Sequence, residues 1–151
     1  AELGCARTRR AGHCERRLMA VETSKQTTAI ARRMVAEYNK GTADWVEACH
    51  AENTSWVELP LAGRSVGRGG GRSALQKAAE EAVAVFPDRR MTLRNLIADG
   101  HQVALELEWI GTAAIAHPGI NVGDIVKLRI AMFLAVEDGK IVKQTDYCVR
   151  V

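Results

Sequence analysis

Four acidic residues stand in segments that are otherwise apolar or β-branched, and these four residues have the greatest potential for chemistry. They are Glu58, Glu106, Glu108 and Asp146. Carboxyl groups that share one apolar pocket lose hydration and repel one another, so their pKa values rise and at least one becomes a neutral acid near pH 7. A neutral acid beside an ionised base is the arrangement that general acid–base catalysis requires. The elements that carry these residues decide whether such a pocket forms.

The first half of the sequence has the periodicity of helices. A helix is predicted from Ser24 to a stop at Gly41, with Ile30, Met34 and Tyr38 on one face. The segments predicted after it are a short helix over 42–50, a strand over 54–59, a glycine-rich loop over 60–71 and a helix over 73–86.

The second half alternates or runs β-branched, which is typical of strands. Turn residues at Asp99-Gly100 and Asp138-Gly139 predict hairpins between neighbouring strands. The predicted strands are Met91–Ala98, Val103–Ile115, Ile125–Val136 and Ile141–Val151. Helices followed by a meander indicate an α+β fold, in which a curved antiparallel sheet wraps around the N-terminal helices.

The alternation of the long strand separates two faces. Val103, Leu105, Leu107 and Trp109 share one face, and Glu106, Glu108 and Ile110 share the other. Taken alone, this period favours glutamates that face water opposite Lys127 and Arg129. Both faces of the last strand are mixed in polarity, so its period does not place Asp146 inside or outside.

Several short motifs occur in an order that resembles the nuclear transport factor 2-like superfamily. They are W-x-E-x-P at Trp56–Pro60, Gly71-Arg72 opening a helix, D-G-K-I at Asp138–Ile141 and Asp146-Tyr147. The resemblance covers about residues 24–151. Members of the superfamily include ketosteroid isomerase, SnoaL-type polyketide cyclases and limonene epoxide hydrolase. The resemblance implies an α+β cone with a deep, mostly apolar pocket, commonly as a homodimer paired through the outer sheet face.

The closest local match is to limonene epoxide hydrolase. Its water-positioning segment resembles Trp56–Leu61, its Arg-x-Asp pair falls on Glu106 and Glu108, and its last-strand Asp-Tyr falls on Asp146-Tyr147. This register implies that both glutamates turn inward. The implied catalytic residues are Asp146 as the base, Glu108 as the acid, and Glu106, which replaces an arginine. The implied substrate-binding residues are Trp56, Glu58, Met34, Tyr38, Leu128, Ile130, Met132, Ile110 and Cys148.

Other members of the superfamily match less closely. The positions that carry the catalytic groups of ketosteroid isomerase hold Met34, Leu59 and either Ile130 or Ala131, which disfavours an enol-stabilising isomerase. The SnoaL-type cyclases match in fold and in one acidic residue of the last strand, Asp146. The expected function is therefore hydrolysis, cyclisation or isomerisation of a small apolar molecule. The alternative is a module of the same fold that binds a small ligand or a protein without catalysis.

Composition excludes several other classes. The 151 residues have a net charge of +3, which is too small for a committed nucleic-acid binder. No apolar run approaches the roughly 20 residues of a membrane span, and none resembles a secretory signal. Met19-Ala20 looks like an internal start, so residues 1–22 are expected to be a leader outside the native domain and residues 23–151 a single domain.

The cysteines and histidines show no metal-binding pattern. Cys5, Cys14, Cys49 and Cys148 lack the spacing of a zinc site or a disulfide framework, so reduced thiols, a cytoplasmic location and no cofactor or metal are expected. His50, His101 and His117 fall at a helix end, a turn and a loop, where contact with solvent is expected. The arginine- and glycine-rich segment over 67–73 lacks the lysine of a phosphate-binding loop.

Overall fold

The computed structural model describes residues 3–60 and 66–151, with side chains described from residue 18 onward. The described residues form three helices and six strands. They are α1 (Leu3–Tyr38), α2 (Trp45–Cys49), β1 (His50–Glu58), β2 (Arg68–Gly70), α3 (Arg72–Val85), β3 (Arg90–Asp99), β4 (Gln102–Thr112), β5 (Ile125–Glu137) and β6 (Lys140–Arg150). The predicted α+β class is confirmed.

The six strands form one curved sheet in the order β2-β1-β6-β5-β4-β3. All neighbouring strands are antiparallel except β1 and β6, which are parallel. The parallel pair and the short β2 are differences from the sequence prediction, because pairing between distant segments leaves no local pattern. Residues 61–65 of the predicted loop lie outside the described residues, and β2 occupies its later part. Gly69 allows the close approach of β2, since a Cβ there would lie 2.5 Å from the Trp56 carbonyl oxygen.

The two predicted hairpin turns are confirmed. Gly100 and His101 connect β3 to β4, and Asp138 and Gly139 connect β5 to β6. Asp138 and Gly139 both have positive φ, 48° and 71°, as a type I′ turn requires. These tight connections set the register of the β3–β4 and β5–β6 pairs.

Helix α1 packs its second half against the concave face of the sheet. Its buried positions recur at helical spacing: Ala31, Met34, Val35 and Tyr38. The helix begins at Leu3 and not at the predicted Ser24. The side chains of residues 3–17 lie outside the described part of the chain. The assignment of residues 1–22 to a leader therefore stays a prediction.

Hydrogen bonds from α1 and from the residue that follows it, to β3 and its turn, fix the helix on the sheet. Thr27 donates to the Gly100 carbonyl oxygen over 2.8 Å. The side-chain amide of Asn39 both donates to the Met91 carbonyl oxygen, at 2.7 Å, and accepts from the Met91 amide, at 2.8 Å. Because these bonds satisfy buried or half-buried backbone groups, they hold α1 in one register against the sheet.

Arg89 is a buried cation that secures the end of α1. Its guanidinium donates to the carbonyl oxygens of Gly41 and Thr42, at 3.2 Å and 2.8 Å. Its Cζ atom also lies 4.9 Å from the ring centroid of Tyr38. Only 3% of Arg89 is exposed, so these contacts replace water around the charge.

Replacing Arg89 is expected to destabilise the protein. Arg89→Ala removes a buried side chain and leaves the carbonyl oxygens of Gly41 and Thr42 without their donor, and we expect a loss of about 2 to 4 kcal/mol in the free energy of unfolding. Urea denaturation measures this loss. The matched control is Arg90→Ala, because Arg90 is exposed, and its effect should stay within about 0.5 kcal/mol. Equal effects of the two substitutions would contradict the role of Arg89.

Candidate active site

A cavity of about 240 Å³ opens between the concave face of the sheet, α1 and α3. Most of its wall is apolar and aromatic. Residues of this kind include Met34, Tyr38, Trp45, Leu75, Phe86, Trp109, Leu128, Ile130 and Met132. The polar residues in the wall are concentrated on the side formed by β1, β2 and β6. An apolar wall with a few convergent polar groups is typical of a small-molecule site.

Asp146 is the buried acid of this cavity. It is 6% exposed, and its Oδ2 atom accepts a hydrogen bond from Trp56 Nε1 at 2.9 Å. The Gln144 amide nitrogen lies 2.9 Å from Oδ2 and 3.1 Å from Oδ1. Gln144 and Asp146 share one face of β6 because they are two residues apart, and the parallel register places Trp56 beside Gln144.

Burial raises the pKa of Asp146 to about 6. The hydrogen bonds from Trp56 and Gln144 oppose this rise, because they favour the charged form. The nearby charge of Glu58 adds to the rise, and that of Arg68 opposes it. Asp146 therefore changes protonation state close to neutral pH, as a group that both accepts and returns a proton must.

His50 continues this hydrogen-bonded chain into the core. Its Nε2 atom lies 2.8 Å from Gln144 Oε1, and the residue is fully buried. The expectation that His50 contacts solvent is therefore wrong, because the first residue of β1 lies under α2. Burial lowers the pKa of His50, so the imidazole is neutral at pH 7. The ring of Trp45 packs edge-on against it, with centroids 5.3 Å apart.

An ion-pair network borders the opening of the cavity. Arg68 lies 3.2 Å from Glu58 and 3.0 Å from Glu81, and His117 lies 2.8 Å from Glu81. The guanidinium of Arg68 also lies over the ring of Trp56, 5.5 Å from its centroid. Glu58 thus lines the cavity as predicted, but as the partner of a cation.

Tyr38 presents a second polar group to the cavity. Its phenolic oxygen accepts a hydrogen bond from Trp109 Nε1 at 2.6 Å. Burial raises the pKa of Tyr38, so the phenol stays protonated. Trp109 is held in turn by an edge-on contact with Phe86, with ring centroids 5.0 Å apart. Because Trp109 already donates to Tyr38, the phenolic hydrogen is available to another acceptor.

Three predicted site residues lie on the outer face of the sheet instead. The inward orientation expected for Glu106 and Glu108 is wrong. Glu108 pairs with Arg129 at 2.8 Å and with Arg94 at 2.7 Å, while Glu106 lies 3.8 Å from Arg129. The hydrogen bond from Arg94 holds the pKa of Glu108 below its usual range. Ile110 is on the same face and is 43% exposed. Strand alternation is the cause, because Leu105, Leu107 and Trp109 occupy the inner face.

The other predicted site residues do line the cavity. They are Asp146, Trp56, Glu58, Met34, Tyr38, Leu128, Ile130, Met132 and Cys148. Sequence reasoning missed Gln144, Trp109 and Arg68 at the wall and His50 behind it. Gln144 had a local signal, since it alternates in phase with Asp146 along β6. The partnership of His50 with Gln144 had none, because the two residues are far apart in sequence.

Two further findings concern the described part of the chain. No three His, Cys, Asp or Glu side chains with described positions come together as a group that could hold a metal ion. None of the helices in this part is long and apolar enough to cross a membrane.

The raised pKa of Asp146 predicts a specific dependence of stability on pH. Because the folded state holds this proton more tightly than the unfolded chain, protonation of Asp146 stabilises the fold below about pH 4, and this stabilisation is lost as the pH rises through about 6. Relative to Asp146→Asn, the wild type should lose about 2 kcal/mol in unfolding free energy between pH 4 and 7. Urea denaturation of both proteins across this range is the measurement. Parallel curves would contradict the assignment.

The chain matches the family model of the SnoaL-like domain over residues 31–144. No curated protein matches it in sequence. Among solved structures, AclR from Streptomyces galilaeus, assigned as a hydroxylase, is similar at 19% identity and a TM-score of 0.70, covering 83% of this chain and 79% of its own. IdmH from Streptomyces antibioticus, assigned as a polyketide cyclase, is similar at 20% identity and a TM-score of 0.69, covering 82% and 91%.

A third similar structure widens the range of chemistry found on this fold. A protein from Kribbella flavida, assigned as a ketosteroid isomerase, is 24% identical with a TM-score of 0.58, covering 85% of this chain and 79% of its own. At these identities the structures show a shared fold, and the family model supplies the assignment. Since that model covers most of the chain, the protein belongs to the SnoaL-like domain family, within the nuclear transport factor 2-like superfamily.

Proposed function

We propose that this protein is an enzyme that uses Asp146 for general acid–base catalysis on a small apolar molecule bound in the cavity. The observation that carries the proposal is the burial of the Asp146 carboxyl at an apolar wall, with Trp56 and Gln144 donating to it. Burial alone would keep the acid neutral, and two donors alone would keep it ionised. Together, burial and the two donors bring its pKa to about 6, so near neutral pH Asp146 can both accept and donate a proton.

The reaction best suited to this arrangement is proton abstraction next to a carbonyl group, followed by ring closure. Ionised Asp146 takes the proton as the C–H bond breaks, and the negative charge moves to the carbonyl oxygen. The resulting enolate carbon then attacks a second carbonyl of the same molecule, forming a C–C bond, and the new alkoxide takes the proton back from Asp146. The phenol of Tyr38, already oriented by Trp109, is the donor available to the charged oxygen.

The polyketide-cyclase names of several similar structures support this choice of substrate class. An epoxide hydrolase-like mechanism loses support, because Glu106 and Glu108 are outside the cavity and Glu58 is paired with Arg68. That leaves Asp146 as the cavity carboxyl suited to proton transfer among the described residues. The substrate class is therefore an apolar compound with at least two carbonyl groups.

Deuterium exchange tests this function before the natural substrate is known. We expect the wild type to accelerate exchange of the α-hydrogens of tetralones or aryl 1,3-diketones in deuterated buffer, followed by proton NMR. Asp146→Asn should slow the enzymatic exchange by about 100-fold or more, because it removes the base. The rate should rise with pH through about 6.

The matched control is Glu108→Gln, which removes a carboxylate from the outer face and should leave the rate unchanged. Exchange that survives in Asp146→Asn would contradict the assignment of the base. Saturable binding of these ketones without exchange would favour the alternative of a ligand-binding module.

A homodimer formed through the outer face of the sheet is part of this proposal. Phe133 and Tyr147 stack edge-on there, with centroids 5.8 Å apart, and both remain about half exposed, as does the nearby Val149. The ion pairs of Arg129 border the same patch. Exposed aromatic groups flanked by charges of both signs suit a second copy of the same surface.

Phe133→Glu is expected to produce a monomer, because two added carboxylates would meet across the two-fold axis. Light scattering coupled to gel filtration measures the mass in solution. The control is Val122→Glu, which places the same charge on an exposed loop residue outside the sheet. A monomeric wild type would refute the dimer.

A further inference from the structure

We propose that His50 is a positioning residue that fixes the Gln144 amide, so that the amide NH2 faces Asp146 and the Oδ1 atom of Asp146 is the oxygen that exchanges protons with the substrate. This inference rests on the proposed function of Asp146 as the acid–base group. His50 touches no substrate, so any effect it has on the chemistry passes through Gln144.

The orientation of the Gln144 amide follows from its two neighbours. An ionised carboxylate only accepts hydrogen bonds, so the amide nitrogen must face Asp146. The amide oxygen then faces His50, at 2.8 Å from Nε2, and that nitrogen must carry a hydrogen to donate. Because burial lowers the pKa of His50, the ring is neutral and its single hydrogen is assigned to Nε2.

The amide orientation distributes the hydrogen bonds unequally over the Asp146 carboxylate. Oδ2 accepts from Trp56 Nε1 and from Gln144 Nε2, both at 2.9 Å. Oδ1 has one longer contact among the described residues, 3.1 Å to the same amide nitrogen. The oxygen with fewer donors keeps a lone pair for proton transfer. Oδ1 is therefore the reacting atom.

A small set of charged and titratable groups lies near the hydrogen-bonded series formed by His50, Gln144 and Asp146. Glu58 on β1, Arg68 on β2 and Tyr38 on α1 act on Asp146, and Lys140 at the start of β6 acts on His50. Among the described residues, the hydrogen bonds of the Gln144 side-chain amide run to His50 and Asp146. If His50 loses its donor, the amide can turn its oxygen toward Asp146, and no neighbouring charge replaces the lost hydrogen bond.

The test follows the titration of Asp146 in the full-length protein by carbon-13 NMR of labelled aspartate, with Asp146→Asn identifying its signal. His50→Phe should raise the pKa of Asp146 from about 6 to about 7, because the ionised form loses a donor. His50→Gln should keep the pKa of the wild type, since its amide nitrogen can replace Nε2 as a donor. Unchanged titration in His50→Phe would overturn the proposal.

A control separates positioning from general stability. Ile141 pairs with His50 in the sheet and is fully buried, so Ile141→Val should lower the melting temperature without moving the titration of Asp146. A pKa shift of the same size in Ile141→Val would show that any loosening of the core is sufficient, and would overturn the proposal.

The tautomer of His50 gives a second readout that needs no substitution. Long-range nitrogen-15 NMR of the wild type at pH 7 should show hydrogen on Nε2 and none on Nδ1. Hydrogen on Nδ1 alone, or on both nitrogens, would overturn the proposal even if His50→Phe does not fold. Neither readout involves turnover. If the titration responds to His50 but no ketone exchanges deuterium, the proposed function fails while the positioning role stands.

Discussion

The structure depends on keeping one carboxylate inside an apolar cavity. An ionised acid in such a place is unstable unless fixed donors replace water. The parallel pairing of β1 with β6 meets this requirement, because it sets Trp56 beside the strand that carries Gln144 and Asp146. The long connection between these two strands contains α3 and the hairpins of the meander, and these elements close the remaining sides of the cavity. The parallel pairing of β1 with β6 therefore determines both the order of the strands and the residues that meet at the site.

The two faces of the sheet are different electrostatic environments, and neighbouring residues of one strand point to opposite faces. On the inner face, Asp146 accepts a hydrogen bond from the ring of Trp56, and its protonation responds to burial. On the outer face, Glu108 lies between Arg94 and Arg129 and stays ionised near neutrality. The same residue type thus has different chemistry on the two faces, and alternation along the strand decides which one applies. Counting acidic residues says nothing about a site until their faces are known.

Local pattern predicted most of the fold, and it failed where contacts are distant. Helical and strand periods identified α3, the four long strands and both hairpin turns, since each depends on neighbouring residues. Alternation alone correctly predicted that Glu106 and Glu108 face outward. The resemblance to an epoxide hydrolase led to the opposite, incorrect prediction that they face the cavity. In β6 the cavity face carries Gln144 and Asp146, so polarity and burial disagree there and the period could not place them. The sequence could not place His50 at the site, because its partner Gln144 is 94 residues away along the chain.

The ion pairs at the cavity opening have a consequence for how molecules arrive. Among the described residues of the cavity wall, Arg68 is paired with Glu58 and Glu81, and Arg150 adds a second positive charge, so these side chains carry little net charge. A weak field neither steers ionic solutes inward nor concentrates them. Capture then depends on diffusional encounter and on the apolar contacts made after entry. An uncharged compound is not disadvantaged against the anionic metabolites around it, and ionic strength has little influence on its association rate.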